Sequence, residues 1–152
     1  MNRAIKQWKH NGKYFNFESH NIFYLQEGNG ANLLIIHGYP YNSFEWKDTI
    51  NELSKTHTVT ILDLLGMGFS DKPKIHKYCF EEYCNIINNT QLLNVKYQSV
   101  GMENRPEKSS EIIVYRIVQE LLNNIMKHAR ATEAFVQLIR EGTRLNLVVE
   151  DN

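Results

Sequence analysis

The 152-residue sequence predicts an α/β protein made of two incomplete pieces joined near Ile87–Leu92. Three observations lead there. Residues 33–62 read strand, helix, strand with short connections, which is the pattern of a parallel βαβ unit. Residues 106–128 read as one long amphipathic helix, followed by an alternating hairpin pattern. Between these regions Asn88-Asn89-Thr90 breaks the periodicity, and the character of the chain changes.

Lys13–Glu18 and Asn21–Glu27 alternate around aromatic residues, and the polar break at Ser19–His20 predicts a hairpin, closed off by Gly28-Asn29-Gly30. Leu33–Ile36 is a continuous apolar run, as expected of a strand buried on both faces, and it ends in His37-Gly38. Phe44, Trp46, Ile50 and Leu53 have helical spacing over 44–55, with Ser43 placed to cap the helix. Thr58–Leu62 is a second buried strand ending at Asp63. The glycines and proline of 65–73 predict a loop, and 80–87 a helix. Leu92–Val100 reads as a strand. Pro106 suits a first helical turn, and Ile113, Ile117, Leu121 and Ile125, with Leu122 and Met126, form a wide apolar stripe on the helix that follows. Residues 133–140 and 144–150 alternate about Glu141-Gly142, a second hairpin.

Bulk properties exclude several classes of function. Lys plus Arg equals Asp plus Glu at 17 each. Split after Ile87, the front holds nine basic and nine acidic residues and the back eight and eight, so neither part has the basic excess that favours nucleic acid or an anionic membrane. No apolar run approaches the roughly 20 residues of a membrane-spanning helix. The charged start, Met1–His10, lacks the apolar core of a signal peptide. Cys79 and Cys84 match neither a zinc spacing nor a disulfide framework, so free thiols in a reducing cytoplasm are expected.

The strand ending in His37-Gly38-Tyr39-Pro40, the helix carrying Trp46, and Asp63-Leu64-Leu65-Gly66-Met67-Gly68-Phe69-Ser70-Asp71-Lys72-Pro73 occur in a fixed order, the last segment starting 23 residues after Pro40. On these motifs residues 8–87 resemble the opening of an α/β-hydrolase of the haloalkane dehalogenase, epoxide hydrolase and esterase-like group. The resemblance implies an oxyanion-type turn at His37, Gly38 and Tyr39, where the Tyr39 backbone N–H would face developing negative charge. For the His37 side chain, packing beneath the turn is the expected role. Asp63 ends a strand, as some nucleophiles do, but the family uses this aspartate to brace the loop beyond it. Gly66 and Gly68 are read as turn-formers.

Such enzymes need a nucleophile on a G-x-[SD]-x-G elbow, then an acid, then a histidine. Neither G-x-S-x-G nor G-x-D-x-G occurs in these 152 residues. Acyl transfer or dehalogenation therefore has no nucleophile here to run on.

Tyr115-Arg116-Ile117-Val118-Gln119-Glu120-Leu121-Leu122-Asn123-Asn124-Ile125-Met126-Lys127-His128-Ala129, then the hairpin and Val149-Glu150-Asp151-Asn152, carry a second likeness. Residues 92–152 resemble the first half of the ATP-binding domain of a two-component sensor histidine kinase, in the GHKL ATPase superfamily. On a helix Glu120, Asn123, Asn124 and Lys127 fall within about a third of the circumference. Taken alone, that stripe reads as a solvated face. The resemblance instead implies Mg²⁺ on Asn124 and a general-base or metal-linked role for Glu120. It further implies phosphate or ribose contacts for Asn123, Lys127 and His128, and adenine recognition by Asp151. The D-x-G-x-G box that Asp151 would open is not completed, and no phosphoacceptor-bearing dimerisation helix precedes the region.

The expected architecture is thus a partial α/β-hydrolase sheet (1–87), a junction (88–91) and a partial histidine kinase-like α/β sandwich (92–152). The expected function is a fused chain without catalysis of its own. The alternatives are weak Mg-ATP binding, or a hydrolase that needs a missing C-terminal half. Self-association through exposed apolar surface is expected as well.

Overall fold

The computed structural model describes residues 2–38, 40–76, 78–102, 107–125 and 131–152, except the side chains of Lys108 and Asn123. The chain divides into two compact units, Met1–Cys79 and Phe80–Asn152. The boundary read from the sequence concerns likeness to families and not compactness, so the two divisions are different quantities.

The first unit contains α1 (Arg3–Asn11), β1 (Lys13–Phe17), β2 (His20–Glu27), β3 (Ala31–Ile36), a 3-10 turn (Ser43–Trp46), α2 (Lys47–Leu53) and β4 (His57–Leu62). Its sheet has the order β1-β2-β4-β3. The expected hairpin is present: Glu18 and Ser19 both take the left-handed conformation, which matches the twist of the strands it joins. β3 and β4 are parallel, with Leu33 opposite Val59 and Ile35 opposite Ile61, as the βαβ reading requires. Leu33 to Ile36 are all buried, so the continuous apolar run does reflect a strand covered on both faces. One face joins Phe23, Leu25, Leu33, Ile35, Val59 and Ile61 to Trp8 of α1 and Ile50 of α2.

One helix has no counterpart in the sequence reading, and one reading needs correction. The charged N-terminus forms a helix, α1, capped by the Asn2 side chain on the Ala4 N–H. Its Trp8 is buried and donates its indole N–H to Ser43 Oγ at 3.1 Å. The helix expected over 44–55 starts as a 3-10 turn, and its cap is Asn42, whose side chain accepts from Phe44 N–H. Ser43 is buried and engaged elsewhere, so it cannot cap.

The second unit contains α3 (Phe80–Asn88), β5 (Asn94–Val100), α4 (Lys108–Asn124), β6 (Glu133–Glu141) and β7 (Arg144–Asp151). β5 pairs with β6 in parallel and β6 with β7 antiparallel. The Asn88 side chain clamps the start of β5, donating to Val95 O and accepting from Val95 N–H. Ala134, Val136 and Leu138 alternate inward on β6, and Val118 and Leu122 of α4 are buried with them. Here the sequence misjudged the helix: Ile113, Ile117 and Leu121, expected on the core stripe, are 59%, 45% and 37% exposed. Leu122, also read on that stripe, is buried, and the buried line runs through it and Val118, more than a quarter-turn from the row of Ile113, Ile117 and Leu121. Pro106 and Met126 lie outside the described residues.

Gly68 has φ +47°, and a Cβ there would sit 2.0 Å from Asp63 Oδ2. Gly142 has φ +61° with nothing within 4 Å of such a Cβ. Gly142→Ala should therefore cost about 1 kcal/mol, the strain of a left-handed non-glycine residue. Gly68→Ala should cost about 3 kcal/mol or more, because the carboxylate must also move. Both tryptophans, Trp8 and Trp46, are in the first unit. In urea unfolding, Gly68→Ala should lower the midpoint followed by tryptophan fluorescence, and Gly142→Ala should leave it in place.

Candidate functional site

The candidate site is the turn that leaves β3 and the loop that leaves β4. These strands are parallel neighbours, so both segments emerge at the same sheet end. This is the end of a parallel sheet where ligands of open α/β folds bind.

His37 is fully buried. Its Nε2 accepts the Leu64 N–H at 3.1 Å. An amide N–H can only donate, so the ring proton sits on Nδ1, which donates to Gly38 O at 2.9 Å. Burial holds the His37 pKa below its ordinary value, against the opposing pull of the Gly38 carbonyl, Asp63 and Glu45. The neutral ring, hydrogen-bonded to backbone at both nitrogens, lies beneath the turn and ties it to the start of the loop after β4. Gly38 O also accepts Tyr41 N–H at 2.8 Å, and Gly38 N–H donates to Glu45 Oε1 at 3.3 Å. Tyr39 lies outside the described residues.

Asp63 is fully buried, and its carboxylate is divided between two backbone donors. Oδ1 accepts Ser43 N–H at 2.6 Å and Oδ2 accepts Phe69 N–H at 2.7 Å. The Asp63 carbonyl accepts the Ser70 hydroxyl, whose oxygen in turn accepts Phe23 N–H at 2.8 Å. Asp71 Oδ2 accepts Asn21 N–H at 2.7 Å, and Lys72 Nζ donates to the carbonyls of Met67, Gly68 and Ser70. Asp63 therefore ties the Ser43 segment and the Phe69 loop together, one backbone N–H on each carboxylate oxygen. Gly66 and Gly68 take positive φ, as turn-formers should.

The candidate nucleotide residues belong to the second unit. Glu120 and Asn124 are exposed one turn apart on α4, and Asn123 belongs to the same helix. Asp151 is exposed on β7, paired with Ala134. Lys127 and His128 lie outside the described residues, as does the side chain of Asn123. Among the described residues no group of three or more His, Cys, Asp or Glu gathers as a metal site, and no helix is long and apolar enough to cross a membrane. The cysteines Cys79 and Cys84 are free thiols.

Sequence reasoning missed several residues that shape these segments. The Trp8–Ser43 contact spans 35 residues and leaves no local signal. Glu45 reaches the turn only because the 3-10 geometry brings it back. Lys72 looked like part of a motif, and its three carbonyl contacts depend on the folded loop. Asn152 closes the β6 end by accepting Thr132 and Glu133 N–H, both at 3.1 Å.

Residues 31–101 match the family model of the alpha/beta hydrolase fold. The family match begins in the first unit and runs past its end at Cys79 and past the 88–91 junction read from the sequence. The mouse mesoderm-specific transcript protein is 32% identical over 110 residues, covering 69% of this chain and 31% of that protein. A solved membrane phospholipase A, described as a bacterial virulence factor, is 25% identical with a TM-score of 0.51, covering 58% of this chain and 30% of that one. The signal transduction histidine-protein kinase/phosphatase DegS of Brevibacillus brevis is 33% identical over 97 residues, covering 60% of this chain and 23% of that protein. The chain spans less than a third of the length of each. The parallel β3–β4 pair, the buried His37 turn and the Asp63-braced loop, taken with these matches, give the chain an alpha/beta hydrolase fold in its N-terminal part.

Proposed function

We propose that the first unit is the turn-bearing half of an α/β-fold hydrolase, and that these 152 residues have no hydrolytic turnover of their own. One observation carries this reading: His37 and Asp63, the two groups best placed for chemistry, are both engaged by backbone groups, at both ring nitrogens and at both carboxylate oxygens. The absence of an elbow motif from the sequence supports it. The fold offers a shaped turn, and nucleophile, acid and base would have to come from other residues. Purified chain should leave p-nitrophenyl esters and haloalkanes untouched. Co-expression with the C-terminal half of a related hydrolase, carrying elbow, acid and histidine, should restore ester hydrolysis. Turnover by the chain alone, abolished by a point substitution, refutes this reading.

A second reading concerns residues 92–152, supported by the motif around Tyr115–Ala129 and by the likeness to DegS. We infer descent from a sensor histidine kinase ATP-binding domain, the two pieces meeting at 88–91. Glu120, Asn123, Asn124, Lys127, His128 and Asp151 would then be the remnants of a Mg-ATP site, with Mg²⁺ on Asn124. Oxygen donors of this kind suit Mg²⁺. In this reading the contact with Mg-nucleotide is weak, millimolar or worse in order of magnitude, roughly as expected when few backbone donors cradle the phosphates. Titration with millimolar Mg-ATP should shift the amide resonances of α4 and of the end of β7 in NMR spectra. Unchanged spectra refute the reading. Free thiols and an even charge balance support residence in a reducing cytoplasm.

If His37 is a structural brace, its protonation opposes folding. The unfolded histidine titrates near 6.5 and the folded one below it. Between those values the unfolded chain binds a proton that the fold refuses, so stability falls as pH falls. The His37 contribution is complete above about pH 6.5 and is lost as the pH drops through the folded value. The tryptophan-monitored urea midpoint should therefore drop between about pH 7 and about pH 5, with a shallower slope in His37→Gln. An equal slope in the variant would assign the effect to other groups.

A further inference from the structure

The loop that leaves β4 is held from two sides by opposite charges. Asp63 Oδ2 accepts the Phe69 N–H at 2.7 Å. Lys72 Nζ donates to the Gly68 carbonyl at 2.5 Å. That N–H and that carbonyl are the two ends of one peptide group, the bond between Gly68 and Phe69. In a trans peptide they point in opposite directions, so the group lies between a buried carboxylate and an ammonium. Each charge polarises the hydrogen bond made by the other. Gly68 permits the close approach: its φ is +47°, and a Cβ there would sit 2.0 Å from Asp63 Oδ2.

The ammonium has further partners on the same loop. Lys72 Nζ also donates to Met67 O at 3.2 Å and to Ser70 O at 2.9 Å. An ammonium has three donors and no acceptor, so these carbonyls match its protons one for one. Backbone oxygens converging on a single positive charge are the donor set with which proteins replace the water around a small cation. We propose that Met67 O, Gly68 O and Ser70 O form a monovalent-cation site whose resident is the chain's own Lys72 ammonium. Neutral carbonyls suit a singly charged ion, whereas Ca²⁺ and Mg²⁺ sites draw on Asp or Glu oxygens. Ammonium and potassium ions are of nearly equal size, so either fits where the lysine head is removed. The Lys72 side chain is exposed, which gives an ion from solvent access to that place. The loop so closed begins at Leu64, whose N–H holds His37, so the cation also bears on the turn after β3.

Urea unfolding of the purified chain, followed by tryptophan fluorescence, tests the site in ammonium, potassium and tetramethylammonium chloride at equal ionic strength. The quantity read is the gap in midpoint between wild type and Lys72→Met in the same salt, which removes general salt effects. In tetramethylammonium chloride, whose cation is too large for the site, Lys72→Met should lie roughly 1 M urea below wild type. In ammonium or potassium chloride the gap should close by roughly half or more, because an ion bound only by the folded loop stabilises it. A second measurement uses wild type alone and stands even where Lys72→Met fails to fold. In NMR spectra the Lys72 ammonium protons should exchange with water roughly tenfold more slowly than those of Lys6, which is exposed on α1. A gap that is absent, or equal in all three salts, overturns the proposal, as does a Lys72 ammonium that exchanges as fast as that of Lys6.

Discussion

The first unit depends on one buried carboxylate. Asp63 sits at the end of β4 and receives an N–H from each of two segments that local sequence does not hold together: Ser43, where the chain re-enters helical structure after β3, and Phe69, within the loop beyond β4. Hydrogen bonds to a charged acceptor contribute about 1.5–3 kcal/mol each, and a buried carboxylate without them would cost far more. Neighbouring residue types follow from this anchor. Gly68 must lack a side chain because the carboxylate occupies the space one would need. Ser43 gives its N–H to Asp63, and its hydroxyl oxygen receives the Trp8 indole, so docking of α1 also depends on the anchor.

Beside it, His37 performs the same service for the turn after β3. Its protonation state follows from position: an imidazole whose Nε2 faces a backbone N–H cannot be cationic without losing that bond. Shape at the turn is set by backbone-directed hydrogen bonds, and among the described residues His37 and Asp63 both take part in holding it.

Much of this architecture was legible from sequence, for identifiable reasons. Strand periodicity revealed β2, β3, β4 and β6 because burial on one or both faces imposes a simple pattern on side chains. The hairpin, read with its break at Ser19–His20 and turning one residue earlier at Glu18–Ser19, and the parallel β3–β4 pair followed from connection length. Asp63 was readable as a brace through likeness to a family, since nothing local distinguishes it from a catalytic aspartate. Where sequence failed, long-range contacts or competing faces decided. The charges of α1 masked a short amphipathic helix whose anchor, Trp8, finds its partner 35 residues away. On α4 two apolar stripes lie side by side, and periodicity alone cannot say which one meets the sheet. β6 and β7 selected Val118 and Leu122, leaving the isoleucine row outside.

The sheet order β1-β2-β4-β3 leaves β3 at an edge, although its side chains are those of an interior strand. One side of its backbone is a ladder of amide groups flanked by Leu33, Leu34, Ile35 and Ile36, without the lysines, prolines or bulges that natural edges use to repel other strands. An apolar edge of this kind is a template on which another extended strand can add by backbone pairing.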